Sequence, residues 1–155
     1  MKRFLLLLLA LGCLALCACG EKAPAKQPLP APDALTAELL AAGAFTEELE
    51  AADKEVSLLL YGLDEQDAPG LRCCFSAGAT TEEIAVFPCA DDAAAQTVLD
   101  ACAARLDLQK RIFSAYAPKE VEKVDHALLL RRDNTVVLCV AADQAKAKAV
   151  LDKYF

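Results

Sequence analysis

The sequence predicts an α+β domain: two N-terminal helices followed by ββαββα, giving a four-stranded antiparallel sheet with its helices packed on one face. Three observations lead there. Short apolar runs come in two pairs, residues 71–75 with 83–87 and 125–131 with 135–141, each pair joined by a polar stretch. Each pair is followed by an alanine-rich segment of helical period that opens on an aspartate. Upstream, residues 34–42 and 46–61 carry apolar side chains at helical spacing and end at Gly43 and Gly62.

The first part of the chain reads as an address, not as fold. Lys2 and Arg3 precede a run over residues 4–18 that holds neither charge nor proline. Gly20, Glu21 and Lys22 end that run short of the roughly 20 apolar residues a spanning helix needs, so residues 1–18 read as a signal peptide. Leu16-Cys17-Ala18-Cys19 resembles the lipobox of bacterial lipoproteins, with a branched apolar residue three positions before the cysteine and a small one directly before it. The resemblance implies cleavage before Cys19 and lipid on its sulfur. Cys17 follows the bulky Leu16, and Cys13 would leave an apolar core of only about eight residues. An ordinary secretory signal is the alternative. Residues 19–32 form the lipidated N-terminus and a spacer, whose Pro24, Pro28, Pro30 and Pro32 favour extended backbone able to reach up to about 40 Å. Residues 33–155 then make a single domain.

Each predicted element has a local cause. Asp33 caps residues 34–42, where Leu35 and Leu39 lie one turn apart. Residues 46–61 place Leu49, Val56, Leu59 and Leu60 near one side, with a break expected near Asp53. Asp91 or Asp92 opens the strongest helix, which runs to about Tyr116 on a stripe of Ala95, Leu99, Cys102, Leu106, Phe113 and Tyr116 and stops at Pro118. Asp133-Asn134 suits the positive φ of a tight hairpin turn, and Asp143 caps a last helix to Phe155. Shifted by 52 positions, residues 90–100 match residues 142–152 at seven of eleven places, which suggests an internal ββα duplication. Two unrelated alanine-rich helices with aspartate caps would give the same match.

Composition narrows the function. A formal charge of −7, made more acidic when Lys2 and Arg3 leave with the leader, opposes nucleic-acid binding, which needs Lys and Arg along phosphates. It equally opposes electrostatic attraction to anionic headgroups. Cys73, Cys74, Cys89, Cys102 and Cys139 remain in the domain, an odd number with no Cys-x-x-Cys spacing. They read as small buried hydrophobes, with one disulfide from Cys89 or redox chemistry as the alternatives. Cys73 and Cys74 should point to opposite faces of a strand. His126 stands alone, so no metal set is predicted. Glu82-Glu83 and Asp91-Asp92 are acid–base candidates, each weighed against a solvated loop or helix cap; Thr80-x-x-Glu83 also fits a capping box. Arg131-Arg132 could receive an anion or simply charge a hairpin tip.

The lipobox, the proline-rich spacer, the run 79–87 (ATTEEIAVF), and Tyr116-Ala117-Pro118 followed by Val121 and Val124 together resemble a domain-of-unknown-function family of small lipoproteins from Gram-positive, mostly gut-dwelling bacteria. The resemblance covers roughly residues 49–151 and implies a fold and an address, with no catalytic residues to carry over. The family commonly has a glycine in the final hairpin, where this chain has Asp133-Asn134. The expectation is therefore a membrane-anchored, extracytoplasmic and non-catalytic module. It would touch the membrane through its lipid, bind an envelope protein or small ligand, and use no cofactor and no nucleic acid. A thiol-dependent envelope enzyme and a purely structural envelope component are the alternatives.

Overall fold

The computed structural model describes residues 25–78 and 80–155. Residues 1–18, expected to be a signal peptide, and Cys19 lie outside the described residues. The elements run α1 (Pro32–Ala41), β1 (Leu49–Ala51), α2 (Lys54–Tyr61), β2 (Arg72–Ser76), β3 (Glu83–Pro88), α3 (Asp92–Phe113), α4 (Pro118–Asp125), β4 (Leu128–Arg132), β5 (Thr135–Val140) and α5 (Gln144–Leu151). No helix among the described residues is long and apolar enough to cross a membrane.

The class is α+β as expected, but among the described residues the sheet has five antiparallel strands in the order β1-β2-β3-β5-β4 instead of four. The additional strand comes from the stretch read as one helix. Its break at Asp53 is real, and Asp53 is the N-cap of α2, but residues 49–51 before it add an edge strand to β2, with Leu49 opposite Ser76. The stretch read as a strand from Asp125 also divides. Pro118 starts α4 at its first turn, where its missing N–H costs nothing, and α4 runs to Asp125, so β4 begins only at Leu128. Further along, α3 ends at Phe113, which leaves Tyr116 exposed against the Phe113 ring instead of on the buried stripe.

The helices cover both faces of the sheet, not one. On one side Tyr61, Ala95, Val98, Cys102 and Val124 meet Cys73, Ala85, Phe87, Val136, Leu138 and Val140. On the other, Leu35, Leu39, Ala147, Val150 and Leu151 meet Cys74, Ile84, Val86, Val137 and Cys139. The central strands β3 and β5 are consequently buried along nearly their whole length, which only a sheet covered on both sides allows.

The caps behave as the sequence suggests at two of three places. Asp91 accepts from the Ala94 N–H and Asp143 from the Lys146 N–H. Asp33, in contrast, sits inside the first turn of α1 behind Ala31 and Pro32 and pairs with Arg72 at 2.7 Å. Asp133 adopts φ 51° in the tight β4–β5 turn, one of the few backbone conformations that favours Asp, Asn or Gly. The 52-residue offset holds for β3 with β5 and for the starts of α3 and α5, yet the two helices lie on opposite faces. The register explains this. Odd-numbered residues of β3 stand opposite even-numbered residues of β5, so an even offset carries each position to the other face.

Candidate functional site

The start of β3 gathers the charged residues that the domain takes inside. Thr81, Glu82 and Glu83 are each about 1% exposed, so Glu82-Glu83 is not the solvated loop that the sequence allowed. The Thr80-x-x-Glu83 spacing starts a strand here, not a helix. Successive side chains of an extended chain point opposite ways, and the two carboxylates do not share a site.

Glu83 turns toward α2 and α3. Arg105 grips it through Nε at 2.8 Å and through a second guanidinium nitrogen at 2.5 Å, while the Tyr61 hydroxyl and the Gln109 amide each donate at 3.3 Å. The guanidinium carbon also lies 5.1 Å from the centroids of both the Tyr61 and Phe75 rings, within cation–π reach of each. Burial pushes the Glu83 carboxyl above its ordinary value, against the pull of Arg105. Burial likewise lifts the Tyr61 hydroxyl, helped by the charge of Glu83.

Glu82 turns the other way, toward the loop after α1 and toward α4. It accepts from the Thr46 hydroxyl at 2.5 Å, the Thr46 and Glu47 N–H groups at 2.9 and 3.1 Å, and the Lys123 ammonium at 2.9 Å. Burial again raises the carboxyl, but here the donors outweigh it and hold Glu82 below its ordinary value. Thr81 completes the clasp: its N–H donates to Glu120 at 2.9 Å, and Glu120 itself pairs with Lys123 at 2.9 Å. Three consecutive residues thus tie β3 to α2, α3, α4 and the α1–β1 loop. Sequence reading missed Arg105, Lys123 and Tyr61 altogether, because each belongs to another element and nothing near it in the chain announces its partner.

Elsewhere the candidates disperse. Asp91 is a helix cap and Asp92 pairs with Arg131 at the surface. Arg132 donates to the carbonyls of Gln27 and Tyr154 and is occupied by them. His126 follows α4 and its Nδ1–H donates to the Glu122 carbonyl at 2.8 Å. It lines a shallow cleft of about 580 Å³ with Lys119, Lys123, Asp143 and Gln144. Cys73, Cys74, Cys89, Cys102 and Cys139 are buried and, among the described residues, form no disulfide, with Cys73 and Cys74 in opposite cores as the strand geometry requires. Burial pushes the thiols of Cys73 and Cys139 up to about 12 and raises those of Cys74, Cys89 and Cys102 as well. Among the described residues, no group of three or more His, Cys, Asp or Glu is placed to hold a metal ion.

A family model described as a domain of unknown function, DUF4358, matches residues 42–141, the stretch from the α1–β1 loop through β5. The clasp lies wholly inside it. No curated protein and no solved structure matches the chain.

Proposed function

The chain belongs to the DUF4358 family, and from that premise we propose that it is a lipid-anchored interaction module on the extracytoplasmic side of a bacterial membrane, attached through Cys19 and acting by binding an envelope protein or small ligand. The observation that supports a non-catalytic role most strongly is the use of Glu82, Glu83, Arg105 and Lys123 as internal cross-links. Each carboxylate meets its cation and further donors inside the domain, so none is poised toward a reacting group. Leu59 at 82% exposed, with Val56 and Leu60 beside it on α2 and Leu108 and Ile112 on α3, supplies apolar surface that a binding partner could cover.

The address is tested by Cys19→Ala. Wild-type protein should fractionate with membranes and carry a diacylglyceryl mass on its first residue, and the variant should appear in the soluble fraction; unchanged retention removes the anchor. The thiol-enzyme alternative is tested by titration with a thiol reagent near neutral pH. A thiol held far above neutrality is almost wholly protonated and a poor nucleophile. The five domain thiols should react only after denaturation, and one fast thiol in the native protein would return the redox reading to first place.

A further inference from the structure

The proline-bearing segment before α1 is expected from sequence to be a free spacer, but the structure pins it. Gln27 donates its N–H to the Lys153 carbonyl at 2.8 Å, and the Lys26 ammonium reaches the Asp152 carbonyl at 2.7 Å. Arg132 fastens both sides of this joint, donating to the Gln27 carbonyl at 2.6 Å and the Tyr154 carbonyl at 2.7 Å. Two residues on, Leu29 packs against the core formed by α1 and α5, and Pro30 and Pro32 limit the backbone between that contact and the helix. From Lys26 onward the chain is part of the domain.

We infer that residues 26–31 act as a docked strap that holds the corner made by the end of α5 and the tip of β4 toward the bilayer and turns the α2–α3 face away from it. The inference rests on the lipid anchoring at Cys19 proposed above. Seven peptide units separate Cys19 from Lys26, so the docking point can stand no more than about 25 Å from the anchor even when the chain is fully extended. A domain of this size has a radius of gyration of about 14 Å and hence a diameter of about 36 Å. Carrying the far face round to the membrane would need the tether to follow half a circumference, more than twice its reach. The strap lies on the α1–α5 side of the sheet, whereas Val56, Leu59, Leu60, Leu108 and Ile112 belong to the helices of the other side. Those apolar residues are accordingly presented to the envelope space, not to lipid.

The test uses the full lipidated protein in vesicles of phosphatidylethanolamine and phosphatidylglycerol. A donor dye is placed on Lys148→Cys or on Leu59→Cys, an acceptor dye in the headgroup layer, and the buried native thiols are left unlabelled. Transfer from position 148 should exceed that from position 59 by at least about twofold. Equal transfer, or stronger transfer from position 59, overturns the orientation. Hydrogen exchange on the same sample reads the strap itself. The Gln27 amide should exchange at least about tenfold more slowly than in the Arg132→Ala, Leu29→Ala double variant, and an unprotected Gln27 in the wild type overturns the strap. Wild-type protein that does not bind vesicles overturns the anchoring and the orientation together, and persistent Gln27 protection in that protein identifies the anchor as the part that failed.

Discussion

Glu82 and Glu83 are one peptide bond apart, equally closed to solvent and each paired with a cation, yet Glu83 lies deeper in the fold and the two sides of β3 treat them differently. Glu82 receives three donors from the α1–β1 loop besides Lys123, two of them backbone N–H groups fixed by the fold. Glu83 depends chiefly on one side chain, Arg105, with weaker support at 3.3 Å from Tyr61 and Gln109. A carboxylate solvated by several oriented donors keeps its charge cheaply, whereas one held by a single cation in an apolar layer is only as stable as that cation's position. The difference teaches that loss of solvent contact alone does not set the behaviour of a buried charge; its depth and the number and rigidity of its donors do.

The sharpest way to break this comparison is to remove the cation from each side. Arg105→Ala leaves Glu83 with two weak donors in a dry layer and strips the packing over Tyr61 and Phe75, and should lower unfolding stability in urea by about 3–5 kcal/mol. Lys123→Ala leaves Glu82 its three loop donors and should cost less, about 1–3 kcal/mol. Equal losses would show that the loop donors contribute nothing to holding Glu82.

A second, smaller contrast lies in the acid limb. Glu82 is held below its ordinary value of 4.5, so its contribution is present above that pH and is lost as pH falls through the lower folded value. Glu83 is raised above 4.5, so its folded state takes up a proton first, and its contribution falls as pH rises from 4.5 through the folded value. Stability measured against pH should therefore show the wild type's advantage over Glu82→Gln growing from pH 3 to 5. Its advantage over Glu83→Gln should shrink as pH rises beyond 4.5. Slopes of the same sign would place the two carboxylates in one kind of environment and dissolve the contrast.

The smallest effect concerns Gln109, whose Oε1 is buried without a partner among the described residues while its amide nitrogen reaches Glu83. Gln109→Met removes one long hydrogen bond together with that unpaired acceptor, and the two changes should nearly cancel, to within about 1 kcal/mol. A loss near that of Arg105→Ala would make Gln109 an equal support of Glu83.

Much of the fold is legible along the chain. The caps at Asp91 and Asp143, the turn at Asp133-Asn134, the break at Asp53 and the central strands follow from neighbours a few residues away. The edge strand β1 is not legible, because three residues with only Leu49 buried carry no period. Two-sided cover of the sheet does leave a trace: Ile84-Ala85-Val86-Phe87 and Val136 to Val140 are unbroken apolar runs, whereas a sheet with one wet face alternates. The charged clasp leaves almost none. Thr81, Glu82 and Glu83 look like the polar end of a loop until residues 22 to 41 positions away close on them.

By itself, then, the sequence determined the α+β class, the central strands, the starts of α3 and α5, and the burial of the domain thiols, because these depend on local backbone preferences and on solvent avoidance. Only the tertiary structure decided that neighbouring carboxylates serve opposite cores, that two similar helices cover opposite faces, and that a proline-rich leader to the domain is fastened down. Each of those is settled by strand register and by partners distant in the chain, and no single stretch of residues encodes either.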